Sequence, residues 1–225
     1  VKHRQLTKKL VKKMRTFVGT LVMFAILVAG IEGHGMLLDP PGRSSRWRSN
    51  SSALKNYDDN ANYCGGFGVQ WSPKNGGKCG FCGDDYSIPP PRPNELGGLY
   101  GGDGVIVKTY KSSNTAEVEV VITANHLGYI YFNLCNMDEF KKESEECYCK
   151  IRLKLVDGSD RHYIDKKTGS IKTTIVWPKG LRCKHCILRW TYNAGNNWGT
   201  CENGKGALGC GAQENFKSCA DITIY

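Results

Sequence analysis

Residues 116–122 read Ala-Glu-Val-Glu-Val-Val-Ile, and residues 150–156 read Lys-Ile-Arg-Leu-Lys-Leu-Val. Both alternate polar with apolar side chains at a period of two, the pattern of a strand with one face on a core and the other toward water. Similar short runs lie at 105–110, 129–135, 171–177, 186–193 and 220–225, with turn residues between them. Seven such strands predict an all-β fold, an immunoglobulin/fibronectin-III-like antiparallel β-sandwich. Between two of the strands, the charged connector 141–146 reads as a solvated face.

Upstream of the strands the pattern is different. Residues 34–100 are rich in Gly, Pro, Asn and Ser, with turn signals at 39–42 (Asp-Pro-Pro-Gly), 64–66 (Cys-Gly-Gly), 75–77 (Asn-Gly-Gly) and 89–91 (Pro-Pro-Pro). A short helix is expected at most around 52–60. So long an irregular stretch in a folded domain implies function or disulfide stapling. The chain has 11 cysteines, which points to an oxidising compartment and to long, disulfide-stapled loops. Two Cys-x-x-Cys pairs, Cys79/Cys82 and Cys183/Cys186, raise zinc as an alternative. They lie too far apart in sequence for a zinc ribbon, so disulfides are favoured. Spacing does not give the connectivity, and the odd count leaves one thiol over.

The composition is that of a folded chain, with 40% hydrophobic and 23% charged residues. A net charge of +10 invites a nucleic-acid reading, but the excess is local. Residues 1–33 carry seven Lys or Arg and one acid, Glu32, whereas 34–225 carry 24 basic and 20 acidic residues. The uncharged run at 17–31, Phe-Val-Gly-Thr-Leu-Val-Met-Phe-Ala-Ile-Leu-Val-Ala-Gly-Ile, follows basic residues and is short for a membrane span. It reads as a secretory signal peptide, with Met14 as the initiator and 1–13 as upstream sequence. The expected organisation is a leader over 1–33 and one domain over 34–225. The mature protein is then secreted, extracellular and free of the membrane, with no nucleic acid as partner. A cut after Gly33 makes His34 the N-terminus; a cut after Gly30 leaves three more residues ahead of it.

The histidines sharpen this. His3 falls in the leader, His162 in a polar segment and His185 within Cys183-Lys184-His185-Cys186, which leaves His34 and His126. An N-terminal histidine chelates through its amine and its ring Nδ1 together. With His126, at the end of a predicted strand, it offers three nitrogens and no thiolate, a set that favours copper among first-row metals. Adjacent carboxylates (Asp58/Asp59, Asp84/Asp85, Glu145/Glu146) read as solvated surface, so nothing calls for a glycoside hydrolase pair.

Four stretches resemble one family: 34–48, His-Gly-Met-Leu-Leu-Asp-Pro-Pro-Gly-Arg-Ser-Ser-Arg-Trp-Arg; 123–126, Thr-Ala-Asn-His; 188–199, Leu-Arg-Trp-Thr-Tyr-Asn-Ala-Gly-Asn-Asn-Trp-Gly; and 213–222, Gln-Glu-Asn-Phe-Lys-Ser-Cys-Ala-Asp-Ile. In this order they are similar to the lytic polysaccharide monooxygenases, closest to the arthropod-type group, auxiliary activity family 15, with its chitin-binding type-4-like domain. The resemblance implies a histidine brace holding one copper ion, with His34 bound through its amine and Nδ1 and His126 through Nε2. The family's axial position falls on Phe216, where many members of the group carry Tyr; phenylalanine shields that side without ligating. Ala124 matches a small residue opposite, and Gln213 is a candidate to support the ligands from behind. The implied activity is oxidative cleavage of an insoluble polysaccharide, chitin ahead of cellulose, using H2O2 or O2 and an external electron donor. Hydrogen is removed beside a glycosidic bond, and elimination then breaks the chain. The implied partner is a flat crystalline polysaccharide surface, to which Arg46, Trp47 and Tyr57 are conceivable contributors, although packing under the loops is favoured for Trp47. A monomer is expected. The competing expectation is a non-catalytic secreted chitin- or glycan-binding module. Asn50-Ser51-Ser52 is an N-glycosylation sequon, in keeping with a secreted loop.

Overall fold

In a computed structural model of the chain, residues 34–111 and 114–225 are described. The expected leader, with its cleavage site and His3, lies outside them. The stretch read first is strand β3 (Thr115–Ala124), in which Ala116, Val118, Val120 and Ile122 are buried while Glu117 is exposed. Strand β3 lies second in a four-stranded sheet, between β1 (His34–Asp39) and β8 (Gly169–Val176), with β6 (Lys154–Leu155) beyond β8. The opposing sheet runs in the order β2 (Lys108–Tyr110), β12 (Asn215–Ile224), β9 (Cys183–Asn193), β4 (Tyr129–Asn136), β5 (Ile151–Arg152), and β7 (His162–Tyr163) also pairs with β4. Neighbours are antiparallel except β2, which runs parallel to β12. The sandwich closes on Leu37, Val118, Val120, Ile122, Phe132, Leu134, Trp190, Tyr192 and Phe216, all fully buried. Burying one such side chain contributes roughly 1.5–3 kcal/mol, so this seam sets the fold.

The structure departs from the sequence reading in four places. Strand β1 forms where loop was expected, because Gly35 lets the backbone lie against the core: a Cβ there would stand 2.9 Å from Trp190 Cη2. No helix forms over 52–60, where Asn56 Oδ1 instead accepts from Asp58 N at 3.1 Å and closes a turn. The helical residues of this half are a 3-10 turn at Arg46–Arg48 and α1 (Phe67–Gln70). The expected strand over 150–156 is divided. Helix α2 (Glu145–Lys150) ends in it, capped at its other end by Ser144, whose side chain accepts from Cys147 N. Buried Leu153 then carries the chain across from β5 in one sheet to β6 in the other. Finally, the connector 141–146 is not merely a solvated face, since the Glu143 side chain is 4% exposed and serves as an acceptor for Arg43.

Ten cysteines form five disulfides: Cys64–Cys79, Cys82–Cys219, Cys135–Cys147, Cys183–Cys186 and Cys201–Cys210. The zinc alternative fails on this pairing. Cys82, Cys135, Cys147 and Cys219 form a second apolar cluster with Tyr148 and Ile187 on the outer side of the six-stranded sheet. The irregular segment is thereby pinned to β12 through Cys82, far apart in sequence but covalently joined. Cys149 is the cysteine left over, and it is exposed. Native, unreduced protein is therefore expected to take up one equivalent of an alkylating reagent, at Cys149, as read by peptide mapping; label at any other cysteine would contradict the pairing.

Candidate metal centre

Pairing of β1 with β3 sets His34 opposite Ala124, and His126 follows two residues beyond the end of β3. The two histidines thus come from neighbouring strand ends at one end of the sandwich. Gly35 N donates to Asn60 O at 3.0 Å, and Asn60 Nδ2 donates to Thr123 Oγ1 at 3.1 Å, which ties the 44–62 loop to both strands.

His126 sits in a tight corner between β3 and β4. Leu127 has φ of +57°, a conformation that side-chain-bearing residues adopt at a cost, and Asn125 Oδ1 stabilises it by accepting from Leu127 N at 2.7 Å. The backbone of His126 is held from both sides: its N–H donates to Tyr192 Oη at 2.7 Å, and its carbonyl accepts from Gly195 N at 2.8 Å. Burial pushes the Tyr192 phenol up to about 12, so it stays neutral at ordinary pH. His126 is 7% exposed, and its Nδ1 is 3.5 Å from Oε2 of Glu214, itself buried. Nδ1 is also without a hydrogen-bond partner, so the carboxylate stands just outside hydrogen-bond range of it.

Phe216 is fully buried. It stacks on Tyr192 at 5.3 Å between centroids and tilts against Tyr63 at 6.3 Å. Tyr63 in turn meets the His34 ring edge-on at 6.2 Å. His34 and Ala124 are thus paired, His126 follows two residues on, and Phe216 is linked to His34 through Tyr63. Gln213 is not among the groups facing the ring: its amide donates to the carbonyls of Asn197 and Cys210 and accepts from Asn197 N. The carboxylate behind His126 belongs to Glu214, and the residues that position the centre, Glu214, Tyr192 and Tyr63, went unread. Glu214 stands one residue ahead of β12, where no strand period reaches it, and its approach to His126 comes from how the chain enters that strand.

Arg46, Trp47 and Tyr57 lie on the segment that follows β1, with Arg46 and Trp47 half-buried. Trp47 packs under the loops, donating to Asp59 Oδ2 at 2.9 Å and meeting Tyr57 edge-on at 5.4 Å, while Tyr57 is exposed. His185 Nε2 lies 2.8 Å from Asp221 Oδ1 and serves a buried ion cluster, not a metal. One other group of ligand-type atoms converges among the described residues, Cys82, Glu143 and Cys219, and its two sulfurs are bonded to each other.

Two imidazoles at one end of a sandwich, one of them backed by a carboxylate, suit a metal: ligating histidines characteristically turn their second ring nitrogen to a carboxylate or carbonyl. Imidazole donors suit copper among the transition metals, and the class this defines is a histidine metal centre. The comparisons with known proteins agree. A family model described as lytic polysaccharide mono-oxygenase, cellulose-degrading, matches residues 34–222. A solved structure, a lytic polysaccharide monooxygenase of family AA15 from Thermobia domestica in the Cu(I) state, is 44% identical, with 85% of this chain and 98% of that one covered and a TM-score of 0.80. No curated protein sequence matches. The chain belongs to the lytic polysaccharide monooxygenases, in the arthropod-type auxiliary activity family 15, and is a copper-dependent enzyme of oxidative polysaccharide cleavage. The alternative of a non-catalytic binding module falls with that.

Proposed function

We propose that the chain is secreted, is cut after Gly33, and as a monomer binds one copper ion through the amine and Nδ1 of His34 and Nε2 of His126. Its proposed substrate is crystalline chitin, with H2O2 or O2 as oxidant and an external electron donor. Copper bound there supplies the one-electron chemistry by which a C–H bond beside the glycosidic link is oxidised. The chain's own residues prepare the site. Glu214 faces Nδ1 of His126 and favours the tautomer that leaves Nε2 a lone pair. Tyr192 and Gly195 fix the height of the ring by holding its backbone. Phe216 would border the bound metal with a ring that has neither lone pair nor proton to give, and Ala124, paired with His34, would leave room beside it.

The observation that carries this reading is the register that sets His34 against Ala124, with His126 two residues on and Glu214 at its back. Chitin is supported by the arthropod-type group to which the chain belongs. Cellulose is the second reading, because the matching family description is cellulose-degrading. Copper-loaded protein beginning at His34 should release oxidised chito-oligosaccharides from chitin when given reductant and peroxide, as read by mass spectrometry. Products from cellulose alone would move the assignment to the second reading; products from neither would overturn it.

The support behind His126 has its own test. Glu214→Ala is expected to weaken copper binding by about 10–100-fold, measured by competition with a chelator of known affinity, with little change in the apo-protein's unfolding midpoint. Unaltered affinity would show that Glu214 does not orient the ring.

A further inference from the structure

The outer side of the six-stranded sheet carries a cavity lined by neither His34 nor His126. Its volume is about 610 Å³, within the range of small-molecule sites. Strand register builds its floor. Lys217 of β12 pairs with Thr191 of β9, which pairs in turn with Tyr131 of β4, and residues paired in this way share a face. Lys217 and Tyr131 both line the cavity. The irregular segment supplies the wall through Phe81, Tyr86 and Arg92, and it is tied down beside Phe81 by the bond from Cys82 to Cys219 of β12. Lys78 and Pro90 also line the cavity and are exposed, so it opens to solvent.

The charges around it do not balance. Glu145, at the start of α2, lines the cavity too, and its Oε1 accepts from Arg189 Nη1 at 2.8 Å and from Lys217 Nζ at 3.1 Å. One carboxylate thus serves two cations whose side chains are only 4% and 12% exposed. Burial first, and then the charge of Arg189, push the Lys217 ammonium down to about 8. Arg92, itself buried, donates from Nη1 to Glu95 Oε1 at 2.7 Å and from Nη2 to Tyr86 O at 2.8 Å, which leaves its Nε without a partner among the described residues. The hydroxyl of Thr191, fully buried in the row between Lys217 and Tyr131, lacks a hydrogen-bond partner as well. Buried polar atoms seldom stay open in a folded chain, so two of them beside one cavity call for an explanation. The apolar part of the wall is made of rings. Arg92 Cζ lies 4.8 Å from the centre of the Tyr86 ring and 5.9 Å from that of Phe81.

We infer that this cavity is a binding site for a small ring-bearing carboxylate, of which benzoate is the simplest, with the carboxylate toward Lys217 and Arg92 Nε and the ring among Phe81, Tyr86 and Tyr131. A carboxylate supplies the missing counter-charge and accepts from the open donors at once, and charge-assisted bonds of that kind are the strong ones. A ring fills the space between rings and lies well against a guanidinium. An inorganic anion would meet the charge and leave the rings wet; a neutral sugar would leave the charge unanswered. None of these residues belongs to the centre proposed above, so this site stands or falls apart from it.

The test is calorimetric titration of copper-loaded protein beginning at His34 with benzoate, benzyl alcohol and acetate. Benzoate is expected to saturate one site. The alcohol lacks the charge and acetate lacks the ring, and each should bind at least about tenfold more weakly. Lys217→Met should weaken benzoate by a similar factor, while Glu145 keeps Arg189 as its partner. Tyr86→Leu, which removes a ring and no charge, should weaken benzoate too, and it carries the test if Lys217→Met does not fold. Absence of saturable benzoate binding overturns the inference. Benzoate binding that either folded variant leaves unchanged also overturns it, because the carboxylate would then sit on the metal or elsewhere on the surface. Equal affinity for benzyl alcohol or for acetate does the same, since the cavity would then read only the ring or only the charge.

Discussion

Protein that keeps Gly33 joined to His34 is expected to bind copper at least about a hundredfold more weakly than protein that begins at His34, since even groups one bond removed from a metal's ligands cost 10–100-fold. Joined to Gly33, the nitrogen of His34 is a peptide amide, with its lone pair delocalised into the carbonyl. The chelate of amine and Nδ1 is lost, and the two imidazoles remain. The fold gives no reason for further damage. The β1–β3 ladder runs from the His34–Ala124 pair inward to Asp39, and a residue added ahead of His34 leaves every one of those pairs in place. Apo-protein with and without the glycine should therefore unfold at the same denaturant concentration, while chelator competition separates them and the oxidised products disappear. Equal copper affinity would show that the amine is not a ligand.

Arg43→Met is expected to destabilise the protein by about 3–5 kcal/mol, the usual cost of stripping the partner from buried charges. Arg43 is 2% exposed and follows β1 closely in the chain. Its Nε and Nη2 donate to the two oxygens of Asp221 at 2.8 and 2.9 Å, and Nη1 reaches both oxygens of Glu143 at 3.1 Å and Asn94 O at 3.0 Å. Glu143 also accepts from Leu96 N and from the Tyr148 hydroxyl. One guanidinium thus joins the loops, β12 and the connector before α2. Methionine keeps the stem's volume and leaves two carboxylates buried without their counter-charge.

The effect has a pH signature. Burial alone would raise the Asp221 carboxyl, but hydrogen bonds from Arg43 and His185 and the arginine's charge outweigh it and hold the group below the ordinary carboxylate range. A depressed folded-state pKa contributes stability above the unfolded value, roughly pH 4, which is lost as pH falls through the folded value. The gap between wild type and Arg43→Met in chemical unfolding should therefore be widest near neutrality and narrow below about pH 4. A gap that is constant with pH would mean that packing, not charge, makes the difference.

A strand with one wet face was readable because its alternation records it: β3 lies where the pattern put it, whereas β9, buried on both faces from Cys186 to Tyr192, was read from its apolar run alone. Strand β1 was not, because Gly35, Met36 and Leu37 are all buried and the segment runs into prolines, so it shows neither period. The six residues of α2 are too short for a helical period, though Ser144 ahead of Glu145 and Glu146 is a start signal that could have been used. The two histidines and Phe216 were legible from chemistry and family likeness. Glu214 and Tyr192 were not, because their roles come from cross-strand register, which one strand's sequence does not contain. The clearest case is Gln213 against Glu214: one position apart and both ahead of β12, the first bonds Asn197 and Cys210 and the second approaches His126.

The disulfide Cys201–Cys210 closes a two-stranded hairpin of β10 (Trp198–Thr200) and β11 (Gly206–Leu208), and it bears on how the enzyme should be supplied with electrons. A disulfide opens by attack of a thiolate, and ascorbate or a phenol does not perform that exchange. A thiol donor such as cysteine or dithiothreitol therefore acts on two targets at once, feeding the metal while unfastening that strand pair. Donors of equal reducing strength need not be interchangeable, and a rate that decays under thiol but holds under ascorbate would report the release of the hairpin, not exhaustion of the metal.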